Sequence, residues 1–78
     1  MMMKGTSVEL IAAVTLDIKG VYPGIKVNVD NPCIGIVIST RWRKHQGKFI
    51  KMITFSPDQY PKSRFELNIN KFKELTYE

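Results

Sequence analysis

The sequence predicts an all-β fold: a small five-stranded barrel with a short helical turn near the C-terminus. Three observations carry that expectation. Apolar and polar residues alternate at period two in well-separated stretches, an uninterrupted β-branched run lies between them, and a length of 78 residues leaves room for one core only. A domain this short buries roughly 60% of the surface its unfolded chain exposes, so its stability is expected to be a few kcal/mol.

In residues 7–19 one parity collects Val8, Leu10, Ala12, Val14, Leu16 and Ile18. Thr6 and Glu9 also have the spacing of a capping box, which makes a helix the alternative here. The alternation, together with β-branched Val14, Thr15 and Ile18, favours strand. Gly20 and the pair Pro23-Gly24 then break the chain. In residues 25–30, Ile25, Val27 and Val29 alternate with Lys26, Asn28 and Asp30, the pattern of a strand with one wet face.

Residues 33–40 are too short for a typical helix and too apolar for an edge strand, so they are expected at the centre of a sheet. Residues 48–55 are their expected hairpin partner, with Gly47 supplying the positive φ that the turn needs. Residues 56–63 hold Pro57 and Pro61 without apolar period and read as a surface loop. In residues 64–70, Phe65, Leu67 and Ile69 face inward, and residues 70–75 read as one helical turn with Phe72 and Leu75 closing over the core. Five short strands at this spacing favour a barrel over a sandwich. The chain is expected to be a single domain over 1–78, with 1–20 an extension and 23–76 the barrel.

Several classes of function are disfavoured by composition. Cys33 is alone and cannot form an internal disulfide, and with one histidine a protein-only zinc site lacks nitrogen and sulfur ligands, so neither metal nor cofactor is expected. No apolar run approaches the ~20 residues needed to cross a bilayer, and no secretory pattern follows the first methionines, so a cytoplasmic protein without membrane contact is expected. His45 beside Lys44 has no nearby carboxylate in sequence to orient it, and no catalytic residue is expected. Cys33, at the head of an apolar strand, reads as a small buried hydrophobe.

Charge is uneven. Residues 41–51 contain five cations, Arg41, Arg43, Lys44, Lys48 and Lys51, and no carboxylate, while the rest of the chain holds seven of each sign. The whole formal excess of +5 therefore falls on one hairpin, where it suits phosphates or an acidic partner surface. Trp42 within that window is a candidate for stacking on a base. Lys26, Lys62 and Arg64 are candidate secondary contacts. If four or five cations each displaced a counterion, the slope of log affinity against log salt would be roughly −4. Trp42 shares its parity with Ile34, Ile36, Ile38 and Thr40, whereas Arg41 and Arg43 point the other way. Tyr22, Trp42, Phe55 and Tyr60 are the aromatics available for a cage around a methylated cation.

The order Pro23-Gly24, Val27, Val29, a short loop, Ile34-Gly35-Ile36-Val37, a hairpin strand, a loop, a further strand and a terminal turn resembles Src-homology-three-like small barrels, and among them KOW and Tudor-type modules. That resemblance implies a module that binds nucleic acid or docks on a larger assembly through its loops, not a catalyst. The expected function is thus non-specific binding of DNA or RNA by the basic hairpin. The alternative is an accessory or regulatory protein, of the kind viruses and plasmids encode, docking on an acidic protein surface. Residues 8–18, taken as an exposed edge strand, could pair two copies into a homodimer.

Overall fold

The computed structural model describes residues 2–75. In chain order the elements are β1 (Ser7–Leu10), β2 (Val14–Leu16), β3 (Ile25–Val27), β4 (Cys33–His45), β5 (Lys48–Pro57), β6 (Phe65–Asn68), a 3₁₀ turn (Ile69–Lys71) and β7 (Phe72–Glu74). They form a five-stranded antiparallel sheet of order β6-β5-β4-β1-β7 and a two-stranded sheet of β2 and β3. The all-β expectation holds. Among the described residues neither sheet closes into a barrel, because β6 and β7 end the sheet order without pairing to each other.

The N-terminal stretch is strand, interrupted at residues 11–13, and its parity is the expected one. Val8, Leu10, Leu16 and Ile18 are buried, and Ala12 and Val14 pack partly against them. The expected exposed edge at residues 8–18 is corrected in its first part, because β1 lies inside the sheet between β4 and β7, whereas β2 pairs on one side only, with β3. The short helical turn near the C-terminus is present, with other bounds than expected. It is a 3₁₀ turn over Ile69–Lys71, starting one residue earlier than expected and ending before Phe72, and it is capped by Asn68, whose Oδ1 accepts from the Asn70 N–H at 3.0 Å. The chain then enters β7, whose pairing with β1 is framed by Ile11 N–H to Lys71 O and Leu75 N–H to Ser7 O, both 3.0 Å. The second side of β1 needed backbone partners, and that requirement outweighed the helical spacing of Phe72 and Leu75.

The predicted loop at 56–63 begins later than expected. Ser56 and Pro57 are buried at the end of β5, with Ser56 Oγ donating to Pro61 O at 3.0 Å. Phe55 sits at the centre of the core, its ring 5.0 Å from Phe72 in an edge-on arrangement and 6.2 Å from Phe65. Gly35 on β4 faces it so closely that a Cβ there would meet the Ser56 carbonyl and Phe55 Cδ2 at 2.7 Å. A larger residue would hold the two strands apart at the middle of the sheet.

The feature that positions the candidate site is a bulge in β4. Its register against β5 runs Val37 to Phe55, then Ser39 to Thr54, leaving Ile38 as the extra residue. Before it, odd residues Gly35 and Val37 face the core; after it, even residues do, because Thr40 lies opposite fully buried Ile53. The expectation that Trp42 shares a side with Ile34 and Ile36 is therefore corrected. Ile34 and Ile36 lie on the outer face, 44% and 42% exposed, while Trp42 lies on the face that continues from the core.

Candidate functional site

β1 pairs only with the first part of β4, up to Ile36, and β6 pairs only with β5 from Met52 onward. Beyond those limits β4 and β5 continue as a two-stranded ribbon through the pairs Trp42–Lys51, Arg43–Ile50, Lys44–Phe49 and His45–Lys48. At ~3.4 Å per residue, this projection reaches on the order of 14 Å past the last three-stranded row. A two-residue turn closes it, with Gln46 at φ 51° and Gly47 at φ 79°. Positive φ at both positions matches the right-handed twist of the strands, and glycine at the second removes most of the steric cost.

The ribbon has two chemically distinct faces. The outer one carries Arg41, Arg43 and Lys48 with Ile50 and Met52, whose positions alternate with those facing the core. The inner one continues the core outward: along β5, Phe55 and Ile53 are fully buried, Lys51 is half-buried, and Phe49 is 69% exposed. Trp42, opposite Lys51, is 65% exposed. The core side chains stop short of the ribbon, so its aromatic residues face solvent.

The five cations are not equivalent. Arg41 makes a two-pronged contact with Glu66 on β6, Nε to Oε2 at 2.7 Å and Nη2 to Oε1 at 2.6 Å. The hydrogen bonds from Arg41 hold the Glu66 carboxyl below the usual carboxylate range, and the same pair raises the Arg41 guanidinium. Lys51 Nζ donates to Met2 O at 3.4 Å, which ties the N-terminal segment to the base of the ribbon. Arg43, Lys44 and Lys48 make no ion pair among the described residues. Lys51 keeps its charge beside a neutral carbonyl, and with these three it is left to meet an outside anion.

Of the secondary candidates, none lies on the ribbon. Lys26 is on β3 in the smaller sheet, opposite Thr15. Arg64 precedes β6 and Lys62 sits in the loop before it, at the end of β5 remote from the turn. Lys62 instead shares a shallow cavity with Ile18, Lys19 and Tyr60. His45 is exposed at the turn, opposite Lys48. The four aromatics do not converge into a cage, since Phe55 is fully buried and Tyr22 is 99% exposed. Cys33 is half-buried, and burial followed by the nearby Asp58 charge raises its thiol pKa, which disfavours the reactive thiolate.

No family model, curated protein or solved structure matches the chain.

Two participants were not legible as such. Phe49 reads in sequence as an ordinary strand residue; the signal that exposes it is the length of the hairpin relative to its neighbouring strands. Glu66 reads as a surface charge, and its engagement of Arg41 depends on a sheet register that brings residues 25 apart in sequence together. Among the described residues no helix is long and apolar enough to cross a membrane.

Proposed function

We propose that this chain is a small nucleic-acid-binding module that makes mainly non-specific phosphate contacts through the β4–β5 ribbon. The observation that carries the reading is a carboxylate-free ribbon projecting beyond the sheet, with Arg43, Lys44 and Lys48 unpaired among the described residues and Trp42 and Phe49 exposed beside them. Cations on a protrusion create a local field that a polyanion can approach from several sides. The backbone contacts they supply set affinity and carry no sequence information.

The topology supports a Src-homology-three-like reading of the scaffold, of the KOW or Tudor kind. A three-stranded meander β4-β5-β6 leads through a 3₁₀ turn to a last strand that returns to β1. β4 serves both halves, pairing with β1 before its bulge and only with β5 after it. A bulge of this kind is how one strand turns a corner between two crossed sheets.

The test is fluorescence anisotropy with labelled mixed-sequence DNA and RNA between 50 and 200 mM salt. Binding at low salt that weakens as salt rises is the expected result. No binding at low salt, or binding indifferent to salt, overturns the proposal. In that event a pulldown from nuclease-treated extract that still retains a protein through Arg43 and Lys48 supports the docking of an acidic protein surface instead.

A further inference from the structure

We infer that the ligand of the ribbon is a single strand, held on the inner face with its bases stacked on Trp42 and Phe49 and its phosphates on Lys44 and Lys51. This inference rests on the nucleic-acid reading above and specifies which nucleic acid it concerns.

Register places the four residues as a checkerboard. Trp42 lies directly opposite Lys51, and Phe49 directly opposite Lys44, so the rings occupy one diagonal of the ribbon and the ammonium groups the other. Diagonal neighbours on one face of an antiparallel pair are about 7–8 Å apart, near enough for two large rings to serve successive nucleotides. Along either strand a ring is followed two residues later by a lysine, Trp42 by Lys44 and Phe49 by Lys51. A single strand presents the same two chemistries in alternation, an apolar base and an anionic phosphate.

The rings are available for this role. Among the described residues the aromatic contacts are those of Phe55 with Phe65 and Phe72, and neither Trp42 nor Phe49 has a ring partner. Both are about two-thirds exposed on a face that otherwise carries the core. In a duplex the base faces are already stacked on one another, and a phenylalanine ring has no hydrogen bond to offer a base edge in a groove, only apolar contact with a thymine methyl. Unstacked bases give both rings a surface to cover, and this contact tolerates any sequence. The outer face lacks such rings, and Arg41, the residue there best placed to reinforce Arg43, is held by Glu66.

The chain's one tryptophan makes the test direct, because emission reports Trp42 alone. The full chain is titrated with ten-nucleotide dT and rU single strands and with a ten-base-pair duplex at 50 mM salt, reading Trp42 emission and the anisotropy of labelled strands. Single strands are expected to quench Trp42 and to bind roughly tenfold or more tighter than the duplex. Trp42→Ala and Phe49→Ala are each expected to lower single-strand affinity by roughly fivefold or more, from the stacking contribution of one base. Trp42→Phe should retain most of it, and duplex binding should stay within about twofold in all three variants by the same reasoning. Thermal melts near that of the parent chain establish that these exposed substitutions leave the fold intact. Equal affinity for single strand and duplex without quenching overturns the stacking platform and leaves the phosphate-binding ribbon standing; no binding of either overturns both. Comparison of the dT and rU arms identifies whether DNA or RNA is the better ligand.

Discussion

Replacing Glu66 with glutamine is expected to strengthen nucleic-acid binding and make it more sensitive to salt, although residue 66 lies on β6 and outside the ribbon. The carboxylate occupies both prongs of the Arg41 guanidinium, so the substitution returns one cation to the outer face. With Arg43, Lys44, Lys48 and Lys51 as the contributing contacts, a slope near −0.7 per phosphate gives about −2.8 for a single strand, or a loss of roughly 50-fold between 50 and 200 mM salt. Releasing Arg41 raises the slope to about −3.5 and the loss to roughly 130-fold. Both values are shallower than the one expected from counting every cation in the sequence. Anisotropy titrations at four salt concentrations measure the slopes. Arg41→Ala alone should leave the parent slope nearly unchanged, and the double variant should return to it. A parent slope that falls by a full contact in Arg41→Ala, or a Glu66→Gln slope equal to the parent's, would refute the claim that pairing withholds Arg41 from phosphate. Acid supplies an independent check. The Glu66 carboxyl pKa is lowered in the folded chain, so the pairing stabilises at every pH above the ordinary glutamate value and disappears only as pH falls through the lowered one. The parent slope should therefore steepen in acid below the ordinary glutamate range, while that of Glu66→Gln should not.

Four further outcomes test the scaffold. Phe55→Ala removes a fully buried ring and should cost about 3–5 kcal/mol, enough to leave so small a domain largely unfolded by circular dichroism at 25 °C. Gly35→Ala forces a Cβ against the Ser56 carbonyl and Phe55 ring, with a cost of about 1–3 kcal/mol from overpacking, whereas Gly47→Ala meets no atom within 4 Å. Its φ of 79° alone should cost about 1–2 kcal/mol, lowering the melting temperature by at least about 4–8 °C while binding at 15 °C is retained. Cys33, with its thiol pKa raised by burial and Asp58, should alkylate more slowly than a free thiol at pH 7.5 and regain the ordinary rate in denaturant.

Parity was the most legible property of this sequence, and it reports which face a residue occupies without reporting its strand partner. Val8 to Ile18 keep one parity across the bend at residues 11–13, so a single strand and two short ones look alike from periodicity. The central hairpin was legible because a β-branched run, Gly47 and a second apolar stretch agree locally. β7 was not, since Lys73 and Glu74 flank Phe72 with no strand pattern of their own, and only the open side of β1 recruits them. The candidate site divides in the same way. Its charge was visible as composition, but the withdrawal of Arg41 by Glu66 and the contact of Lys51 with the Met2 carbonyl depend on long-range register.

The bulge at Ile38 also links two properties that look independent. Every side chain from Ser39 to the turn owes its direction to that one supernumerary residue. Taking Ile38 into the regular ladder opposite Thr54, with the pairing below it kept, would slip β4 by one residue against β5, swinging Trp42 and Lys44 outward and the arginines toward the core side. A one-residue slip of register here would thus exchange what the protein offers to its surroundings without altering any residue that makes contact.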